Sequence, residues 1–235
     1  MATRTLPLKN ENFDQRQHRS NEIIRRLKKK FPRARIVLNF SNHWELLVAV
    51  ILSAQCTDKK VNEVTLQLFK KYPTLDDYVN ADPKKFARAI RPTGFYRAKT
   101  KNILASAKIV KEKFGGEIPH TMEEMLTLKG VARKTANVVL GNAYGVVKGI
   151  AVDTHVRRLS QRLGFSRQED PEKIEKDLMM ILPKKDWFKT TYLLIEHGRA
   201  ICTAKDPRCD LCPLSNLCPS GFNFPKFQNH RTRNT

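Results

Sequence analysis

The stretch Leu128–Lys129–Gly130–Val131–Ala132–Arg133–Lys134–Thr135 limits what this chain can fold into more than any other. It is a glycine-containing turn between two helical patterns. Upstream, Thr121 and Glu124 are spaced as a T-x-x-E capping box, and Met125 and Leu128 give the short helix it opens an apolar side. Downstream, Ala136, Val138, Val139, Leu140 and Ala143 predict a second helix over 134–144. So short a link demands a tight hairpin, and Gly130 supplies the backbone freedom it needs. The second helix then opens with unpaired N–H groups, which together with the helix dipole make an anion site.

The remaining segments also read as helices. Ile23, Ile24, Leu27 and Phe31 predict a helix from Ser20, closed by Pro32, with residues 1–19 polar and loosely ordered. Asn42 and Glu45 open a helix over 44–55 that is apolar nearly all round and therefore the buried centre of a helical domain. Thr57 or Asp58 caps the next, with Val61, Val64, Leu68 and Phe69 on one side and Pro73 as its stop. Short helices are predicted over 75–80 and 83–90, and a long one over 97–114 ends at Gly115–Gly116. Asp153, Asp170–Pro171 and Asp186 open the last three. Sustained strand alternation is missing, so the expected fold is all-α. Gly221 onward lacks a helical pattern and reads as a frayed basic tail.

Charge narrows the partner. Lys plus Arg number 44 against 23 Asp plus Glu, a net of +21. So one-signed a charge works against compact folding, and it calls for a polyanion, of which nucleic acid is the common one. A membrane surface fits less well, because no long stretch joins a basic face to an exposed apolar one. The first twenty residues carry neither an apolar run nor transit-peptide composition, and the apolar stretch 44–52 is too short to span a bilayer. The expectation is a soluble intracellular protein.

Cys56 stands alone, while Cys202, Cys209, Cys212 and Cys218 form C-x6-C-x2-C-x5-C within 17 residues. In a reducing compartment such crowding points to metal rather than disulfides. Zinc ribbons present two C-x2-C knuckles and this loop has one, so wider, uneven gaps favour a [4Fe–4S] cluster over zinc.

These segments together resemble the endonuclease III family of DNA glycosylase/abasic-site lyases, within the helix-hairpin-helix superfamily. The resemblance is carried, in order, by LSAQCTD (52–58), TGFYRAK (93–99), LKGVARKTANVVL (128–140), AVDTHVRRL (151–159) and the cysteine loop. It implies two helical domains with the active site in the cleft between them. One is a helical barrel over 36–147 holding the hairpin; the other is an iron–sulfur domain from 1–35 plus 148–219, followed by a basic flexible tail over 220–235. It implies Lys134 as catalytic lysine, Asp153 as catalytic aspartate, and the four cysteines as cluster ligands. Gln55 resembles the residue that fills the gap left by a flipped-out base, and Phe95 stands where the family has a leucine wedge. Gly130, Ala132, Arg133 and Thr135 of the hairpin, with His155, are the remaining DNA-contact candidates. Lys129 replaces the family's proline and Ala132 its second glycine.

The chemistry agrees with the residue types. A glycosylase with lyase activity needs an amine that attacks the sugar C1′ and forms a Schiff base. A helix N-terminus and the adjacent Arg133 both disfavour the charged form of Lys134. The plainer reading of Lys134 is an exposed lysine on phosphate. Asp153 can cap its helix and still offer negative charge to a cationic sugar. Gln55 is otherwise a polar helix end, Phe95 a core aromatic, and His155 a surface residue. The expected activity is excision of oxidised pyrimidines from damaged duplex DNA with β-elimination at the abasic site, by a monomer working in the cytoplasm, on the nucleoid if the source is prokaryotic. The alternatives are a monofunctional adenine/mismatch glycosylase and a non-catalytic DNA-binding module.

Overall fold

The computed structural model describes residues 11–228. Its helices are α1 (Phe13–Lys30), α2 (His43–Leu52), α3 (Asp58–Lys71), α4 (Leu75–Val79), α5 (Pro83–Ile90), α6 (Tyr96–Phe114), α7 (Met122–Met125), α8 (Arg133–Tyr144), α9 (Thr154–Arg162), α10 (Pro171–Ile181), α11 (Lys184–Ala200) and α12 (Pro225–Gln228). Among the described residues there is no strand, only an isolated bridge between Cys202 and Pro207. None of these helices is long and apolar enough to cross a membrane. Residues 36–148 form one compact unit; the described parts of 1–35 and 149–235 form another.

The unit over 36–148 is built around α2, in which every side chain from Trp44 to Leu52 is buried. Asn42 accepts from Glu45 N at 2.9 Å to start it. The buried Glu45 carboxylate in turn takes bonds from Ser41 N and Ser41 Oγ, so its burial is compensated. α2 packs on α8 and α6. Trp44 meets Tyr78 edge-on at 5.2 Å, and Tyr72 meets Phe86 at 5.3 Å, which closes the far side. α2 stops at Leu52, three residues short of the predicted end. Ser53 Oγ bonds back to Val50 O at 2.8 Å, and the chain turns through Gln55 at φ 52°.

In the other unit α1 begins at Phe13 rather than Ser20. Asn12 and Gln15 form a capping box, and the buried Arg19 holds Glu11 at 2.7 Å, so part of the polar segment expected to be loose is helix. α11 starts after Pro183, two residues ahead of the expected opener. Asp186 lies inside its first turn, buried and paired with Lys28. α9 and α11 approach so closely at Gly198 that a Cβ there would meet Arg158 Nη2 and His155 Nδ1, each at 2.9 Å. The tail expected from 220 also has structure at its start. Gly221 is buried, Phe222 and Phe227 stack edge-on at 5.1 Å, and α12 follows. Residues 229–235 lie outside the described residues.

Candidate active site

The hairpin differs from expectation: its first helix, α7, is a single turn, and the link to α8 passes through turns over 126–130. Thr121 accepts from Glu124 N at 3.2 Å, as a cap should. The Glu124 carboxylate, though, bonds the Thr121 hydroxyl at 2.8 Å. Val131 N donates to Leu128 O at 3.3 Å across a β-turn whose third residue, Gly130, has φ 76°. A Cβ on Gly130 would also lie 2.5 Å from Asn102 Nδ2, so both conformation and space require glycine. α6 braces the turn through Ser106 Oγ, which donates to Lys129 O at 3.0 Å. Ala132 is extended at φ −94°, which any residue adopts, so alanine fits where the family has a second glycine. It provides no side-chain cap, and Lys134 follows as the exposed second residue of α8, between half-buried Arg133 and Thr135.

Gln55 and Phe95 sit on two other loops of the same unit. Gln55 is exposed, so it does not end the buried helix. Phe95 is 64% exposed and is not a core aromatic. Both have left-handed backbone, at φ 52° and 48°, which costs about 1–3 kcal/mol each for a residue with a Cβ. Cys56 beside them is half-buried and free of disulfide. A concavity of about 860 Å³ lies elsewhere in this unit, between α5 and α6. Lys84, Arg88, Arg91, Arg97, Lys101 and Lys108 are among its lining residues and no acidic residue is.

In the other unit Asp153 caps α9, Oδ1 accepting from Val156 N at 2.8 Å. His155 is half-buried, its Nδ1 3.4 Å from Arg158 Nη2. Arg158 also donates to Gly198 O and Cys202 O at 3.2 and 3.1 Å, tying α9 to α11 and the cysteine loop.

Cys202, Cys209, Cys212 and Cys218 line a single cavity with Arg162, His197 and Phe224. Among the described residues no three His, Cys, Asp or Glu side chains are close enough to share one metal ion. Four thiols around one cavity are a ligand set that suits an iron–sulfur cluster. Burial pushes the Cys212 thiol up to about 11 and the Cys218 thiol up to about 12, so both need the positive charge of iron beside them to ionise. Arg162 supports the rim: it donates to Cys202 Sγ at 3.3 Å and to Thr203 O at 2.7 Å, and its guanidinium lies 4.7 Å from the Phe224 ring centroid. His197 Nε2 lies 3.7 Å from Cys212 Sγ, and burial holds this imidazole down to about 4.

The family model described as HhH-GPD superfamily base excision DNA repair protein matches residues 48–184. The iron-sulfur binding domain of endonuclease III matches residues 202–218. Endonuclease III of Synechocystis sp. is 49% identical over 205 residues, which cover 87% of this chain and 94% of that protein. The chain belongs to the endonuclease III family. Two solved structures are similar throughout. A non-covalent Endonuclease III–DNA complex gives a TM-score of 0.84 at 43% identity, covering 92% of this chain and 98% of that one. A trapped Endonuclease III–DNA covalent intermediate, an estranged-adenine complex, gives 0.83 at 42%, with the same coverage of each chain. This family member is therefore a base-excision DNA-repair enzyme, a DNA glycosylase with abasic-site lyase activity, and its cofactor is a [4Fe–4S] cluster.

Residues of weight that the sequence did not single out are Lys99, Arg162, His197 and Gly198. Gly198, a glycine inside a helical pattern, carried the one available signal, since it marks close packing.

Proposed function

We propose that Lys134 is the nucleophile and Schiff-base residue, that Asp153 assists it, and that the substrates are oxidised pyrimidines and abasic sites in duplex DNA. The observation that carries this reading is the place of Lys134: an exposed amine in the first turn of α8, directly after a turn that only glycine can make. In this mechanism the Lys134 nitrogen attacks the sugar C1′, and the C1′–N bond to the base breaks with its electron pair leaving on the base. Ring opening gives an iminium; loss of a C2′ proton then expels the 3′ phosphate. Asp153 keeps one carboxylate oxygen on Val156 N, which holds the side chain in one rotamer. Its negative charge favours the cationic sugar. The uncapped start of α8 and the hairpin amides around Gly130 receive a phosphate. Gln55 offers donor and acceptor to the widowed base, Phe95 wedges the stack, and His155 supports the α9 end of the contact.

The enzyme acts as a monomer on DNA in the cytoplasm, and on the nucleoid if its source is prokaryotic. The four cysteines hold the cluster, which when bound cross-links the loop after α11. Borohydride reduction on duplexes carrying single defined lesions tests the assignment. Covalent trapping is expected with wild type and lost in Lys134→Ala; undiminished trapping in that variant removes Lys134 from the reaction. Base release without trapping by wild type would instead favour a monofunctional glycosylase, and tight binding with neither would favour a module that only grips phosphates.

A further inference from the structure

Lys99 is only 4% exposed, and among the described residues no carboxylate bonds it. Burying an ammonium without a counter-ion costs several kcal/mol, so a core position of this kind would ordinarily be leucine or methionine. Its two hydrogen bonds show what compensates the charge. Nζ donates to Leu52 O and to Thr93 O, both at 2.8 Å. Leu52 is the last residue of α2, and Thr93 is the last of the 3-10 turn Arg91–Thr93. Carbonyls at helical ends lack an intrahelical partner and carry partial negative charge, so two turn ends stand in for an anion. Burial pulls the amine below the ordinary lysine range, but charged or neutral it keeps at least two N–H donors.

The two carbonyls are not arbitrary. Gln55 follows Leu52 by three residues and Phe95 follows Thr93 by two, and both are exposed in strained left-handed backbone. Strain of that kind persists only where the surroundings over-determine it. We infer that Lys99 is a positioning residue, a single buried cross-brace that holds the Gln55 and Phe95 loops in fixed register so that both engage the duplex at once. The inference rests on the reading of Gln55 and Phe95 as duplex-facing residues. Lys99 touches neither the substrate nor the reacting atoms; it acts through the two loops.

The test is Lys99→Met in the cluster-loaded full chain, a similar length without donors. Affinity for undamaged duplex should stay within about twofold, because the basic surface is unchanged. Single-turnover excision from a lesion-bearing duplex should fall about ten- to a hundredfold, the order expected when reacting groups are displaced by an ångström. Trapping on a preformed abasic site, which needs no base extruded, should fall less. Gln55→Ala and Lys99→Met should be non-additive, the double variant resembling the worse single one. A folded Lys99→Met with excision within twofold of wild type, or losses that simply multiply, overturns the brace while leaving the duplex-facing reading intact. A wild-type enzyme indifferent to Gln55→Ala and Phe95→Ala overturns that reading and the brace with it. Should Lys99→Met not fold, hydrogen exchange on wild type decides: residues 53–57 and 93–96 opening together with one free energy supports the brace, and independent opening overturns it.

Discussion

Residues 36–148 are built outward from α2, which is buried from Trp44 to Leu52, whereas in the cysteine loop Leu211 is 63% exposed and arginines do much of the holding. Arg26 donates to Pro213 O at 2.9 Å, Arg19 to Leu217 O at 3.2 Å and Arg162 to Thr203 O and Ala204 O at 2.7 Å. One region carries its own hydrophobic driving force, roughly 25 cal/mol per Å² of apolar area removed from water. The other exchanges water for guanidinium-to-carbonyl bonds, worth about 1.5–3 kcal/mol each when a charge is involved, and adds a cluster. The contrast separates chemistry from support. The hairpin with its nucleophile candidate stands on an apolar core, while the cysteine loop depends on charge and metal.

If that contrast holds, variants should sort by which region they touch. The largest effect is expected from Lys134→Ala: a loss of at least about 10³ in trapping and strand cleavage, roughly 4 kcal/mol. Its thermal unfolding and duplex affinity should stay near wild type, since the side chain is exposed. Removing the iron by chelation, or Cys218→Ala, should come next. Amide protection should collapse over the loop from Cys202 to Gly221 and in the α9 turn beside it, by several kcal/mol, while α2 and α8 keep theirs in a hydrogen-exchange map. Loss of protection in α2 to the same extent would end the comparison.

Gly130→Ala should destabilise the hairpin by about 2–3 kcal/mol, through both the left-handed φ and the approach to Asn102. Asn102→Ala should recover part of this, because it removes the clash but not the φ strain; denaturant midpoints of the single and double variants measure both. The smallest stability change belongs to Asp153. Asp153→Ala should cost about 1 kcal/mol as a lost cap, and Asp153→Asn almost nothing, since asparagine caps as well. Both should lose excision, because asparagine keeps the cap and not the charge. Equal stability loss in the two would mean that the carboxylate charge, and not the cap, holds α9.

Much of the chain was legible because helix punctuation is local. Asn42, Thr57, Asp153 and Asp170 each cap the helix they open in the sequence, by side-chain bonds reaching two or three residues along the chain. The misreadings fall where local signals are weak or are overruled from a distance. Nothing near Phe13 is apolar enough to announce a helix, and α1 extends there because Asn12 and Gln15 cap reciprocally and Arg19 pays its burial with Glu11. α2 was read too long because Ala54 and Gln55 suit a helix, yet a serine bonding backwards ends it.

The sequence by itself determined the all-helical class, the positions of the caps, the glycine at the hairpin and the four sulfurs of the metal loop, since each depends on residue types at short spacing. Tertiary structure alone decided that Lys99 is buried between two carbonyls 47 and 6 residues away in the chain, that Gly198 admits α9, and that Arg19 reaches Leu163 O across 144 residues. Lysine and arginine look alike in a sequence whether they face water or a distant carbonyl. Only folding brings those acceptors within reach, because each lies in a part of the chain that local spacing does not connect to the cation.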